Sequence, residues 1–515
     1  MLMSGEQYRE SLRGYNPTVY LDGERIDSVA DEARLAPGIA AVGVTYDYAI
    51  AERHRPLMVA AEQSSGAEVN RFLHINRTPK DLLSKLEAVR LVCQRVGCAQ
   101  RYLSQDGLNA IHQAVHLMEA EAGGGDLQQR FLAYLHRVQA EDLTLGVAMT
   151  DAKGDRSKRP HEQQNADSYV HIRERRADGI VISGIKAIVT GAAYMHELLV
   201  MPGRNMVAAD GDFAVCCAVP IDAEGLTVIS RRAGRPGEDA AVFSGRYGQA
   251  TGVCVFEDVF VPWQRVFMAG EWKYAQFLTR AYTCHHRHSC IGARAGFGDL
   301  LIGAALMMAE ANGLEAAGDK YLRERMVELI KIVEGFFACG VASSTYAEPD
   351  ASGCAEPERI FANVGKLLLS TQIYDMQRIA HDLSGGLIVA LPGPEEDHNP
   401  ATAARLEELW QGRDDIPPAR RRQVARFLGD ITASDTAGWY SLISLHGGGS
   451  PAAASMEIYR SYPLEDKVAL VDSLLERGLL AGQAEQNAAD GQPGKCCDDG
   501  CQPPDKEAPA PQKKP

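Results

Sequence analysis

The chain has 515 residues, 45% of them hydrophobic and 23% charged, and a formal net charge of -15; this is an ordinary globular composition with room for two to four domains. So acidic a balance argues against a nucleic-acid or anionic-membrane partner, while local basic clusters still permit an anionic substrate. No run reaches the roughly 18 apolar residues of a membrane span, and the opening MLMSGEQYRESLRG has no apolar signal-peptide core, so a cytoplasmic protein is expected.

In chain order, residues 1–147 are expected to form a mostly helical domain. KDLLSKLEAVRLVCQRV, LNAIHQAVHLMEAEA and LQQRFLAYLHRVQAEDL place apolar residues at three-to-four spacing, and Gly123 to Gly125 separate the second from the third. Residues 148–271 are expected to form a β domain, barrel or sandwich. SYVHIRERRADGIVISGIKAIVTGA alternates apolar and polar residues around an Asp178-Gly179 hairpin signal. ELLVMP, FAVCCAVPI, LTVISR and GVCVFEDVFVP follow as strands.

Helical periodicity returns over 272–482. AGFGDLLIGAALMMAEANG, LRERMVELIKIVEGFFACGVASSTYAE and RIFANVGKLLLSTQIYDMQRIAHDLSGG suit an up-and-down bundle. Residues 483–515, rich in Pro, Lys and Asp, are expected to be a disordered tail. The 12 cysteines show no framework spacing, as expected of free thiols or ligands.

Several segments occur in one order: MTDAKGDRSKRP at 149–160, DGIVISGIKAIVTGA at 178–192, FEDVFVPWQRVF at 256–267, AGFGDLLIGAA at 295–305, DLSGGLIV at 382–389 and LHGGGSP at 445–451. Together with the N-terminal segment they resemble the 4-hydroxybutyryl-CoA dehydratase and 4-hydroxyphenylacetate 3-monooxygenase family, on the dehydratase side, over about residues 1–470. The resemblance implies an acyl-CoA dehydrogenase-like fold of mixed α and β: a helical N-terminal domain, a β domain and a helical C-terminal bundle. It also implies a homotetramer with FAD between the β domain and the last helices.

On that resemblance Met149, Thr150, Asp151, Asp155 and Arg156 lie where helix gives way to β domain, a place for amides and short polar groups to hold the flavin ring. Thr190 and Gly191 end a strand, where a hydroxyl bonds the flavin and a glycine permits close approach. Gly448, Gly449 and Ser450 form a loop that presents amides to a pyrophosphate. Singly, each feature reads as a turn, a solvated ion pair or an ordinary strand residue; their order in the family pattern favours FAD.

The pattern breaks at the metal. The dehydratase branch holds a 4Fe–4S cluster on three Cys and one His, at C-x3-C and H-x6-C. Here Cys98 and His286 fill two positions, while Tyr102 and Ala293 stand at the other two. Two glutamates of that branch correspond to Thr251 and Ile443. The phenol-recognition signature of the monooxygenase branch is replaced by Leu103-Ser104-Gln105-Asp106-Gly107. No ordinary 4Fe–4S cluster is therefore expected. A relocated metal site on Cys98, His286 and Cys290 is an open alternative, because His286 and Cys290 are four residues apart on one helix face.

The leading expectation is an FAD-dependent oxidoreductase, a monooxygenase or related redox enzyme on a small organic or acyl substrate, possibly a CoA ester. His286 is its candidate base and Gln100 a donor to substrate. A separate flavin reductase is expected, since no GxGxxG unit for NAD(P)H occurs. A hydroxyacyl-CoA dehydratase or isomerase with an altered metal site, and a non-catalytic flavoprotein, are the alternatives.

Overall fold

The computed structural model describes residues 2–475, apart from positions 64 and 316. The expected tail, 483–515, lies outside the described residues, as do Cys496, Cys497 and Cys501. The chain forms one unit to Ser461 and a second that begins at Tyr462; the described part of the second is helical over 464–475.

The helical start of the pattern is read correctly. Helix Pro79–Val96 opens on Thr78, whose hydroxyl accepts from the Asp81 amide while the Asp81 carboxylate accepts from the Thr78 amide. A proline at the first turn costs no hydrogen bond there. The helix ends at Gly97, which takes φ +71°. A Cβ at Gly97 would also stand 2.8 Å from the Tyr440 hydroxyl. Cys98 and Gln100 therefore lie on the turn before the next helix, Tyr102–Ala122.

The β region is two sheets with a shared core. Six strands run in the order Glu24–Arg25, Thr18–Leu21, Leu226–Ser230, Thr251–Pro262, Gly179–Thr190 and His171–Arg175. Four run in the order Val266–Ala269, Val215–Pro220, Glu197–Val200 and Leu145–Ala148. Ile180, Ile182, Val228 and Phe256 of the first sheet and Leu198, Val200, Cys217 and Val219 of the second are buried in one cluster, as alternation demands of facing sheets. The hairpin at Asp178-Gly179 is present, with the Arg176 amide donating to the Gly179 carbonyl.

Among the described residues five strands begin in the segment read as mostly helical: Thr18–Leu21, Glu24–Arg25, Val59–Ala61, Glu68–Asn70 and Leu145–Ala148. Thr18–Leu21 pairs in parallel with Leu226–Ser230, and Leu145–Ala148 pairs in parallel with Glu197–Val200. Each of these two is only four residues long and its partner is distant in sequence, so local alternation carries little signal.

The centre of the helical part is the 37-residue helix Ala275–Ala311, against which Pro79–Val96, Tyr102–Ala122, Lys320–Thr345 and Arg359–Leu383 pack. Glycines allow backbones to touch: a Cβ at Gly296 would fall 2.5 Å from the Arg90 carbonyl, and one at Gly292 2.7 Å from that of Leu86. The segment Trp272–Ala311 is long and apolar enough to cross a membrane, with mean hydropathy 1.4, and 67% of that window is buried inside the protein. Such burial is that of a core helix.

Candidate active site

A cavity of about 650 Å³ opens where the strand ends near Thr150 and Thr190, the helix Ala275–Ala311 and the loop Gly447–Ser450 meet. Its wall includes Gln100, Tyr102, Met149, Thr150, Arg156, Thr190, His286, Cys290, Arg294, Gly448, Gly449 and Ser450. Elements far apart in sequence thus bring together most of the expected site residues.

Three expected cofactor residues do not line this cavity. Asp151 is buried and takes Lys186 as an ion-pair partner at 2.6 Å, and it accepts from the Val170 amide. Burial pushes its carboxyl pKa up against the pull of Lys186. Its place is under the loop, beside a smaller recess that Thr150, Lys153, Arg156 and Arg204 also line. Asp155 is exposed and turned onto Ser157, accepting from its amide at 3.0 Å and its hydroxyl at 2.7 Å. Gly191 caps a strand at φ +75°, where a Cβ would meet the Met195 methyl.

The glycine loop takes a backbone conformation that favours glycine. Gly448 and Gly449 take φ +73° and +100°. A Cβ at Gly448 would come 3.1 Å from Arg287 Cγ and 3.4 Å from His286 Cδ2, and one at Gly449 3.2 Å from an Arg287 nitrogen. Arg287 Nε donates to the Gly448 carbonyl at 2.8 Å, fixing the loop to the long helix. The two glycines leave room that any side chain would fill, and Lys153, Arg156, Arg280, Arg359 and Arg460 on the same wall supply positive charge. The donor set and this cradle fit a dinucleotide with phosphates.

Deeper lies a chain of buried polar groups that sequence reading missed. Asp106 is fully buried. Its Oδ1 accepts from Lys85 Nζ and from the Ser289 hydroxyl at 2.8 Å, and its Oδ2 faces His286 Nδ1 at 3.2 Å. The other ring nitrogen, His286 Nε2, faces Cys290 Sγ at 3.7 Å. Tyr282 stacks on the imidazole with centroids 5.5 Å apart.

Burial opposes charge on His286, but Cys290 and Asp106 outweigh it and push the pKa up to about 9. The Cys290 thiol is moved the other way, down, since His286 favours the thiolate over the opposition of burial. Burial also works against ionised Asp106, yet Lys85 and His286 hold its carboxyl well below the usual range. At neutral pH the imidazole is thus held as imidazolium, suited to give a proton before it can take one.

The expected metal ligands do not converge. Among the described residues no three His, Cys, Asp or Glu side chains stand as a metal site. Cys98 Sγ takes Gln100 Nε2 at 3.2 Å, Arg294 Nη2 at 3.4 Å and the Tyr102 hydroxyl at 3.7 Å. Burial opposes its ionisation, but Cys93, Arg294 and Tyr102 together bring the thiol down to about 6. The sulfur is satisfied by a guanidinium and an amide, partners for a thiolate and not for a cation. His286 and Cys290 stand side by side on the long helix, while the Cys98 sulfur lies against Gln100, Arg294 and Tyr102. The remaining cluster positions hold a phenol, Tyr102, and a methyl, Ala293, which is fully buried. This donor set does not fit a four-iron cluster.

The chain matches family models described as 4-hydroxyphenylacetate 3-hydroxylase N terminal over residues 4–268 and C terminal over residues 275–476. It is 32% identical to 4-hydroxybutyryl-CoA dehydratase/vinylacetyl-CoA-Delta-isomerase of Clostridium aminobutyricum, over 92% of this chain and 99% of that one. An archaeal 4-hydroxybutyryl-CoA dehydratase from N. maritimus superposes with TM-score 0.88 at 34% identity, covering 92% and 95% of the two chains. The oxygenase component of 4-hydroxyphenylacetate 3-monooxygenase, solved with FAD, superposes with TM-score 0.82 at 21% identity, covering 93% and 99%.

These likenesses define an enzyme of mixed α and β fold, from a family that holds flavin-dependent monooxygenases and a dehydratase/isomerase. The chain belongs to the 4-hydroxyphenylacetate 3-hydroxylase family.

Proposed function

We propose that the protein is an FAD-dependent oxidoreductase, a monooxygenase or a related redox enzyme, acting on a small organic or acyl substrate. The observation that carries this reading is a contrast within one cavity. The glycine loop, Thr150 and Thr190 line it where a flavin would sit, with Tyr102 on the same wall, and Tyr102 and the buried Ala293 stand where the dehydratase branch has two of its four cluster ligands.

FAD, when bound, supplies the redox or oxygen chemistry. Gly448, Gly449 and Ser450 would face its pyrophosphate, and Met149, Thr150 and Thr190 its ring. Arg156 would add charge at the same wall. Asp151 acts from beneath by fixing Lys186, which also donates to the Met149 carbonyl at 3.0 Å and so sets the loop. His286, held protonated by Asp106 and Cys290, gives a proton to a substrate oxygen, and Gln100 and Tyr102 orient the substrate beside it. Reduced flavin comes from a separate reductase, in keeping with relatives that are the oxygenase components of monooxygenases. A homotetramer and a cytoplasmic location complete the proposal.

Oxygen uptake tests this. With reduced FAD and a panel of phenols and acyl thioesters, substrate-dependent uptake of labelled oxygen into product is expected. Uptake that yields only hydrogen peroxide with every substrate, or no flavin binding, contradicts the reading.

A second reading, a hydroxyacyl-CoA dehydratase or isomerase, is favoured by the identity to the Clostridium enzyme. It requires iron and acid-labile sulfide in the purified protein, which separates it from the first.

A further inference from the structure

His286, Cys290 and Arg294 stand at i, i+4 and i+8 on the helix Ala275–Ala311 and line one wall of the cavity. That spacing places them on one face, one above the other. Cys290 Sγ is 3.7 Å from His286 Nε2, and His286 Nδ1 is 3.2 Å from Asp106 Oδ2. Asp106 is in turn locked by Lys85 and Ser289. A thiol, an imidazole and an orienting carboxylate in hydrogen-bonded sequence form the constellation of nucleophilic acyl transfer. Arg294 adds a separate observation: it is 3% exposed, and its Nη1 is buried with no acceptor among the described residues. A buried donor without a partner costs free energy unless a ligand supplies the acceptor.

We propose that Cys290 is a catalytic nucleophile for acyl thioesters of a phosphorylated thiol, an activity that goes beyond the flavin chemistry and does not use it. Cys290 and His286 are the catalytic residues, Asp106 is a positioning residue that acts through His286, and Arg294 Nη1 receives the developing oxyanion.

In the first step the Cys290 sulfur bonds to the carbonyl carbon, and the bond from that carbon to the substrate sulfur breaks. The proton held between Cys290 and His286 goes to the departing thiol. Water then adds to the acyl-cysteine, His286 taking one of its protons, and the carboxylic acid leaves as Cys290 regains its proton. No oxidant or reductant enters either step. The substrate class follows from charge in excess of what the flavin's phosphates take at Arg156: Arg287, Arg359 and Arg460 also line the cavity, with Glu457 the one acidic residue among its described lining.

The test uses the FAD-loaded full chain with acetyl-CoA and butyryl-CoA as probes. After an acid quench, peptide mapping by mass spectrometry is expected to find the acyl group on Cys290, with free CoA released. Cys290→Ala abolishes that adduct. His286→Gln keeps the thiol and slows its acylation by about 10²-fold or more, the usual worth of a general acid–base. Thermal unfolding confirms that the variants fold; should Cys290→Ala not fold, the wild-type peptide map and His286→Gln decide. The proposal is overturned if neither probe acylates Cys290 in the wild type, or if His286→Gln acylates at the wild-type rate.

Discussion

The two nitrogens of His286 face Cys290 and Asp106, and this residue sets the proton chemistry of the cavity. Its pKa, pushed up to about 9, keeps it charged through neutral pH. Activity that needs its proton is predicted to fall as pH rises through about 9, and a pH–rate profile of His286→Gln should lack that limb, with turnover down by about 10²-fold or more. Gly448 is the second telling residue. Its φ of +73° costs a side chain about 1–3 kcal/mol, and a Cβ there presses on Arg287. Gly448→Val is predicted to lower flavin occupancy, read by absorbance of the purified protein. Full occupancy with unchanged affinity would mean that the loop does not meet FAD.

Among the elements, the N-terminal helix Gly5–Leu12 and the strand Leu145–Ala148 are tied through His196. The Thr144 amide donates to His196 Nδ1 at 2.8 Å, so Nε2 carries the proton toward the Ser11 hydroxyl, also at 2.8 Å. Burial first, then Arg101, lower its pKa from 6.5 to about 3. Such a group stays neutral when folded and takes a proton when unfolded. Its stabilisation is present above pH 6.5 and is lost as pH falls toward 3, at up to about 1.4 kcal/mol per pH unit. His285, lowered by burial to about 3, acts in the same sense. Chemical denaturation at stepped pH should show this slope, and His196→Gln should flatten it; an equal slope in the variant would assign the acid sensitivity elsewhere.

The same scale explains what the sequence could reveal. Long periodic stretches such as Ala275–Ala311 and Arg359–Leu383, and strands such as Gly179–Thr190, are legible because each repeats its own pattern over many residues. Cys98, His286 and the glycine loop were legible through motif order. Lys85, Asp106 and Ser289 were not. They sit inside helices where a polar residue reads as a solvated face, and their partnership exists only once Pro79–Val96, Tyr102–Ala122 and Ala275–Ala311 pack together. Arg294 was hidden in the same way, one position beyond the Ala293 that the motif singles out.

For the whole molecule, the proposed assembly is a homotetramer. Exposed Val327, Ile330 and Tyr374 stand on the long helices of the C-terminal part, and a homotetramer would bury such surface. Light scattering at micromolar concentration is predicted to give four times the chain mass; a value of 55.9 kDa, one chain, would contradict it.

The proposal of a flavin enzyme without the four-iron cluster that the dehydratase resemblance implies meets its most direct test in anaerobically purified protein. Its visible spectrum, read beside iron and acid-labile sulfide content, is predicted to show flavin bands with negligible iron and sulfide. Broad iron–sulfur absorption with about four irons and four sulfides per chain, the stoichiometry of such a cluster, would contradict the account and place dehydration first.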